Sequence, residues 1–242
     1  MESSSQTAEP ALNSDCVLVI MAKAPRPGTV KTRLIRSLPL QAVTSFYRCL
    51  LDDTLALAQS LAGVEVAIMC PASDVAELAE LAGPRVSVVA QNGEGLAAGL
   101  TSVFAHFADD HQRRIIAFNS DSPHLPRPVL EAAFETLAAH DLVVGPTYDG
   151  GYYLVGANGA QPSLFMRDGM GTGNALENLL SQARVLQLSV GFTDPFYDID
   201  VADDLIQLAA ELDDSPAKAP RTAFWLKEWG DAMTRLLTGT AD

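Results

Sequence analysis

The run Val17-Leu18-Val19-Ile20-Met21, followed directly by Ala22-Lys23-Ala24-Pro25-Arg26-Pro27-Gly28-Thr29-Val30-Lys31-Thr32-Arg33, decides the fold class. An unbroken, largely β-branched apolar run ending in a loop rich in proline reads as a strand buried on both faces, the kind found in parallel sheets. Working outward, Lys31 to Ser37 can begin a helical turn and Pro39 interrupts it. Gln41 to Leu61 then carries Val43, Phe46, Leu50, Leu51, Leu55 and Leu57 at helical spacing. The pattern repeats as strand Val64 to Cys70, helix Ser73 to Leu81, strand Val86 to Ala90, helix Leu96 to Ala108 and strand Arg114 to Asn119. This alternation predicts an α/β fold with a mostly parallel sheet, right-handed crossovers and ligands gathered at the carboxyl ends of the strands.

Beyond a helix over Pro128 to Ala139 the rhythm changes. Strand Leu142 to Gly145, the tetrapeptide Tyr148-Asp149-Gly150-Gly151 and strand Tyr152 to Gly156 predict some antiparallel pairing. Helix Gly173 to Ala183, strand Val185 to Val190 and helix Val201 to Leu212 follow, with Asp213 to Pro220 as a linker. Thr222 to Leu237 places Phe224, Trp225, Leu226, Trp229, Met233, Leu236 and Leu237 on one broad face, as a closing helix would. At 242 residues the chain suits one domain over 16–242 behind a loose polar tail at 1–15.

Composition narrows the function classes. Cys16, Cys49 and Cys70 have neither disulfide-framework nor zinc-knuckle spacing, and no signal segment opens the chain, so a reducing, cytoplasmic setting is expected. No apolar run approaches the roughly 18 to 20 residues of a membrane span. A formal net charge of −14 disfavours nucleic acid as a partner. Against that background Lys23, Arg26, Lys31, Arg33 and Arg36 crowd into one short stretch, as a solvated helix start or as a phosphate site.

That stretch follows a strand, where backbone N–H groups can receive phosphate. It is not a Walker A loop, because Val30 and Ala24 or Pro25 stand where that motif needs glycine. The dinucleotide G-x-G-x-x-G is absent, as is the hydrolase G-x-S-x-G. Asp121 ends the apolar strand Ile115 to Asn119 and can hold a hard divalent cation or cap the next turn. In Gly145 to Tyr153, Gly150 and Gly151 can let the backbone approach a ligand with Tyr152 beside them, or can serve an Asp149-Gly150 hairpin turn. Asp200, within Tyr197-Asp198-Ile199-Asp200-Val201-Ala202-Asp203-Asp204, can cap a helix or supply a second metal ligand. Of His106, His111, His124 and His140, none at metal-ligand spacing, His124 alone lies near the proposed site.

In this order, four segments resemble the DUF2064 group, the arsenosugar-biosynthesis-type glycosyltransferase family of the GT-A nucleotide-diphospho-sugar transferase superfamily. They are MAKAPRPGTVKTRL at 21–34, Ser120-Asp121 with Pro123, GPTYDGGYYLVG at 145–156 and YDIDVADDL at 197–205. The resemblance covers roughly residues 17 to 210. It implies a three-layer α/β/α sandwich of GT-A type, with Asp121 as the metal-binding acid and a phosphate-embracing loop comprising Ala22, Lys23, Arg26, Gly28, Lys31 and Arg33. Gln91 and Gly95, in a stretch that keeps only part of the family's signature, are assigned to the base or ribose. Asp149 and Asp200 become candidates for the sugar side, a second metal ligand or an acceptor base, with Gly150, Gly151, Tyr152 and His124 on the sugar or acceptor side. Asn119 to Pro126 and GMGTGNAL at 169–176 depart from the family pattern, which leaves the acceptor open.

The expected activity is therefore transfer of a sugar from a nucleotide-diphosphate sugar to a small acceptor, with Mg²⁺ or Mn²⁺ bridging the diphosphate. A MobA-like or phospholactate guanylyltransferase-like nucleotidyltransferase shares the fold, but its glycine-rich opening is missing here. An inert nucleotide-binding domain is the rival of another class, opposed by the joint presence of Asp121, Asp149 and Asp200. Oligomeric state is not readable, a homodimer being one option.

Overall fold

Strand β1 (Cys16–Met21) takes an interior place in a seven-stranded sheet because both of its faces are apolar. Val17 and Val19 enter one core and Leu18 and Ile20 the other, the alternation a strand imposes. The computed structural model describes residues 15–108, 113–161, 163–165 and 173–238. Residues 1–14 of the tail expected over 1–15, His111, residues 169–172 and the side chains of Met233, Leu236 and Leu237 lie outside the described residues.

In chain order the elements are β1, α1 (Leu40–Gln59), β2 (Glu65–Cys70), α2 (Val75–Ala82), β3 (Ser87–Ala90), α3 (Gly95–Phe107) and β4 (Arg114–Asn119). There follow α4 (Arg127–Thr136), β5 (Leu142–Pro146), β6 (Tyr152–Asn158), α5 (Ala175–Val185), β7 (Val190–Phe192), α6 (Ala202–Asp214) and α7 (Pro220–Thr238). The sheet order is β3-β2-β1-β4-β6-β5-β7, with β6 antiparallel to both neighbours and the other pairs parallel. Residues of α1, α4, α6 and α7 pack on one face and residues of α3 and α5 on the other, giving the three-layer α/β/α sandwich with a mostly parallel sheet. No helix among the described residues is long and apolar enough to cross a membrane.

From β1 the chain steps outward to β2 and β3, then returns across the sheet to β4 on the other side of β1. The reversal sets the carboxyl ends of β1 and β4 side by side, and from both the chain passes to helices of the same layer, α1 and α4. Met21 pairs with Asn119 in register, so the loops after the two strands leave the sheet at the same level.

Three expected segments differ. Between Lys31 and Ser37 the helix is a short 3₁₀ turn, Leu34–Arg36, closed before Pro39. The strand expected over Val185 to Val190 is instead the last residue of α5 and the turn that closes it: Leu188 N–H donates to Ala183 carbonyl and Gln187 turns the chain with φ +57°, so the strand begins only at Val190. The alternating Leu186, Leu188 and Val190 pack at the rim of the second core, which accounts for the strand-like pattern. The linker expected over Asp213 to Pro220 instead holds the end of α6 and a 3₁₀ turn, Pro216–Lys218.

The closing helix docks on α1 through Phe46 and Trp225, whose ring centroids are 4.9 Å apart, and through a bond from Trp225 Nε1 to Ser45 Oγ. Buried Asp53 of α1 accepts the N–H groups of Arg221 and Thr222, the orphan donors of the first turn of α7. Asp53→Ala is expected to lower stability by about 1–3 kcal/mol, since both amides lose their acceptor. Both tryptophans of the chain lie on α7, so urea unfolding followed by tryptophan fluorescence reads the change directly.

His124 lies behind the exit of β4, wholly buried against the rings of Phe196 and Tyr197, with neither ring nitrogen hydrogen-bonded. Burial pushes its pKa down to about 4, against the pull of Glu211, whose Oε2 is 4.0 Å from Nε2. Unfolded, the imidazole regains its ordinary value and takes up protons first, so its linkage to stability is favourable at neutral pH and is lost as pH falls from about 6.5 toward 4. Over that window the wild type should lose roughly 3 kcal/mol more than His124→Phe, as urea midpoints at pH 7, 5.5 and 4 would show. Parallel pH profiles for the two proteins would refute this account.

Candidate functional site

The loop after β1 is anchored by its apolar residues and leaves its cations to a crevice at the carboxyl ends of β1 and β4. Ala24, Val30 and Leu34 are buried in the core, and Ala22 N–H donates to Met69 carbonyl. Tyr47 of α1 accepts a bond from Lys23 N–H, donates to Lys23 carbonyl and shares a hydrogen bond with Ser120 Oγ in which either hydroxyl can donate. One buried phenol thus joins the exits of β1 and β4. Burial, reinforced by Asp121, pushes its pKa up to about 12, so it remains a neutral donor.

Arg26 does not line the crevice. Its guanidinium is held by Asp74, Glu77 and Ser73 carbonyl, and Asp74 also accepts Ala24 N–H. Burial opposes the Asp74 carboxylate, but these donors outweigh it and hold its pKa low. The arginine expected to meet phosphate therefore pins the loop to the start of α2. Gly28, at φ +79° with open space around it, makes the turn beyond that pin.

Lys31 carries the loop inward. Its Nζ is 3.0 Å from Asp121 Oδ2 and 3.0 Å from Asp200 Oδ1, and its side chain is only 4% exposed. Arg33 reaches the other oxygen of Asp200 from the solvent side at 3.1 Å. Burial works against the Lys31 ammonium, yet Asp121 and Asp200 together outweigh it and raise its pKa.

Asp200 is free to face these cations because another side chain caps α6. Asp204 Oδ2 accepts the N–H groups of Asp200 and Val201 at the helix start. The extended stretch before α6 is tied to the end of β4 by Ile199 N–H on Asp121 carbonyl and by Ser122 Oγ on Tyr197 carbonyl. With Ile199 buried between them, Asp198 and Asp200 stand on the same side, and Asp121, Asp198 and Asp200 each offer an oxygen within 4.8 Å of the other two. Burial, then Asp200 and Asp121, push Asp198 up to about 6 against the pull of Lys31.

The result is an open cleft of about 990 Å³ that brings together Ala22, Lys23, Lys31, Arg33, Gln91, Gly95, Asp121 and Asp200 of the expected residues. Gln91 closes its own loop, with Nε2 donating to the carbonyls of Gly93 and Gly95. Asp149, Gly150, Gly151, Tyr152 and His124 do not line this cleft. Asp149 is bound within its turn by Thr147 Oγ1 and Gly151 N–H, and the Thr147 hydroxyl, opposed by burial, keeps its pKa low. Gly150 sits at φ +88° where a Cβ would come within 2.2 Å of Gly173 carbonyl oxygen, so this glycine serves the hairpin and its packing on the segment before α5. Tyr152 packs against the second core.

Sequence reading missed Asp198, Asp74 and Tyr47. The Asp-x-Asp spacing at 198–200, which puts both carboxylates on one side of an extended segment, was the available signal for the first. Tyr47 on the apolar face of α1 was a weaker one.

The three carboxylates suit a hard divalent cation. All donors are oxygen, and the repulsion that Asp200 and Asp121 add to burial at Asp198 is one that a bound cation would relieve.

Residues 54–172 match the model of the DUF2064 family, described as an uncharacterized protein conserved in bacteria. No curated protein matches the chain. Among solved structures, a protein described as a "putative nucleotide-diphospho-sugar transferase" from Desulfovibrio desulfuricans G20 is similar at 25% identity and TM-score 0.84, over 92% of this chain and 98% of that one. The 4-diphosphocytidyl-2C-methyl-D-erythritol synthase of Anaerococcus prevotii shares the fold at 10% identity and TM-score 0.57, over 84% and 98%. A nucleotidyl transferase from Methanothermobacter does so at 18% and 0.53, over 82% and 97%. The family match runs from the second half of α1 through β4, Asp121 and the β5–β6 hairpin, and the chain shares its fold with these solved transferase structures.

Proposed function

We propose that residues 16–242 work as one cytoplasmic unit, a glycosyltransferase that moves a sugar from a nucleotide-diphosphate sugar to a small acceptor. The observation that carries this reading is the meeting of Lys23, Lys31 and Arg33 with Asp121 and Asp200 in one cleft at the carboxyl ends of β1 and β4, with Asp198 grouped beside the two carboxylates. Cations facing carboxylates across an open cleft suit a ligand that has phosphate charge on one side and brings a metal on the other. The likeness over 92% of the chain to the Desulfovibrio protein supports the nucleotide-sugar class.

In this reading the nucleoside lies toward the Gln91–Gly95 loop and the diphosphate lies beside Lys23, Lys31 and Arg33. Asp121, Asp198 and Asp200 would hold Mg²⁺ or Mn²⁺, which as a Lewis acid would stabilise the departing diphosphate. Lys23 and Arg33 oppose the charge that builds on the leaving group, where prearranged charges matter most to the rate. Tyr47 and the Arg26–Asp74 pin keep the loop in place, so little reorganisation accompanies that step. Asp149 is poorly suited as the acceptor base, because its carboxylate is bound inside its own turn.

Asp121→Asn should lower donor turnover by at least about a hundredfold while the far-ultraviolet circular dichroism spectrum stays that of the wild type. Wild-type turnover in this variant would remove Asp121 from the chemistry.

Incubated with nucleotide sugars and Mn²⁺, the protein should release nucleoside diphosphate, slowly to water or faster to a competent acceptor, and no pyrophosphate. Pyrophosphate from a nucleoside triphosphate and a sugar phosphate, followed by phosphorus NMR, would instead assign a nucleotidyltransferase.

A further inference from the structure

We infer that Lys31 is the resident cation of the carboxylate cluster and is exchanged for a divalent metal ion as the site loads, which hands its ammonium to the diphosphate. This rests on the metal-dependent reading above and adds an order of events to it.

A lysine beside an open cleft ordinarily keeps its ammonium in water. Lys31 does not: its side chain is 4% exposed and bridges Asp121 Oδ2 and Asp200 Oδ1 at 3.0 Å each. Its backbone supports this placement from the left-handed region, φ +47°, sparsely populated by residues other than glycine. Neighbouring Thr29, Thr32 and Arg33 are exposed, so of the polar side chains of this turn Lys31 is the one drawn inward.

The same two carboxylates belong to the group of three that suits a hard divalent ion. Such an ion takes oxygen lone pairs at about 2.0–2.2 Å, so an ammonium still hydrogen-bonded to the same carboxylates would be a like charge only a few ångströms away. Arg33 already engages the second oxygen of Asp200. The ammonium is the group that can leave, because its four-carbon stem pivots without moving a loop pinned by Arg26 and Tyr47. Lys23 and Arg33 line the cleft beside Lys31, so a displaced ammonium enters the region assigned to the diphosphate and finds anionic partners there.

Metal and diphosphate would then assist each other through Lys31. Metal alone must displace an internal ion pair, and diphosphate alone must compete with Asp121 and Asp200 for the ammonium. Together each offsets the other's cost, which is positive coupling between two ligands.

The wild-type protein tests this without turnover, by reductive methylation with peptide mapping and exposed Lys227 as the internal reference. Lys31 should label slowly in chelator, about fivefold or more faster with saturating Mn²⁺, and slowly again with Mn²⁺ plus inorganic pyrophosphate. In parallel, free-Mn²⁺ electron paramagnetic resonance should show Lys31→Met binding Mn²⁺ alone about fivefold or more tighter than wild type, with the tightening by pyrophosphate lost. Mn²⁺ binding that is abolished by Asp121→Asn but leaves Lys31 labelling unchanged would overturn the exchange and spare the metal site. Mn²⁺ binding to neither wild type nor Lys31→Met would overturn both.

Discussion

The ammonium of Lys31, shared by Asp121 and Asp200, joins segments that the chain delivers separately: the loop after β1, the end of β4 and the extended stretch before α6. A buried ion pair is a poor source of net stability, because desolvation offsets much of the attraction, but removing one partner leaves charge stranded and is strongly destabilising. The bridge therefore acts mainly as a constraint. With Lys31 seated, Asp200 must face the cleft, and Asp204 is left to cap α6.

Sheet topology makes that bridge possible. Had β4 been added beyond β3, its end would lie three strands from the loop after β1. The return across the sheet instead sets Asn119 beside Met21. Tyr47 then bonds to both exits from the helix that follows β1, so α1 senses the distance between them. The closing helix bears on the site from further out, since α7 packs on α1 through Trp225 and is capped by Asp53 of the same helix.

The parts of this arrangement that were legible in the sequence are those written in apolar periodicity. β4 falls where Arg114 to Asn119 predicted it, and β1 differs by the single residue Cys16, because short apolar runs rich in β-branched residues and bounded by turn residues favour strand over helix. Polar roles were less legible. Arg26 and Lys31 look alike in the sequence, and only the position of Asp74, brought close by the β1–β2 pairing, diverts Arg26 from the cleft. Asp198, Asp200 and Asp204 likewise sit in one acidic run. Their division into cluster members and helix cap follows from where α6 starts, and helix boundaries are what sequence patterns define least well. Asp149 read equally as a turn residue and as a candidate acid, and its bonds to Thr147 and Gly151 are those of the turn.

The charge of the whole molecule gives this local arrangement a further consequence. At −14, the protein carries a charge that opposes anions, so the diphosphate of the proposed function would have to be drawn in by a local reversal of potential. Lys23 and Arg33 can supply it at the rim, but Lys31 cannot while its charge is cancelled by Asp121 and Asp200. Beyond a Debye length of about 8 Å at physiological salt, the acidic surface contributes little, and the field a ligand meets is that of the cleft itself. A free anion therefore meets a site whose strongest buried cation is already paired, whereas an anion arriving with a divalent ion brings the charge that can replace it. Under the proposed function, such a site would select for metal-complexed polyphosphate over bare phosphate by the arrangement of its own ion pairs, before any contact with a base or sugar is made.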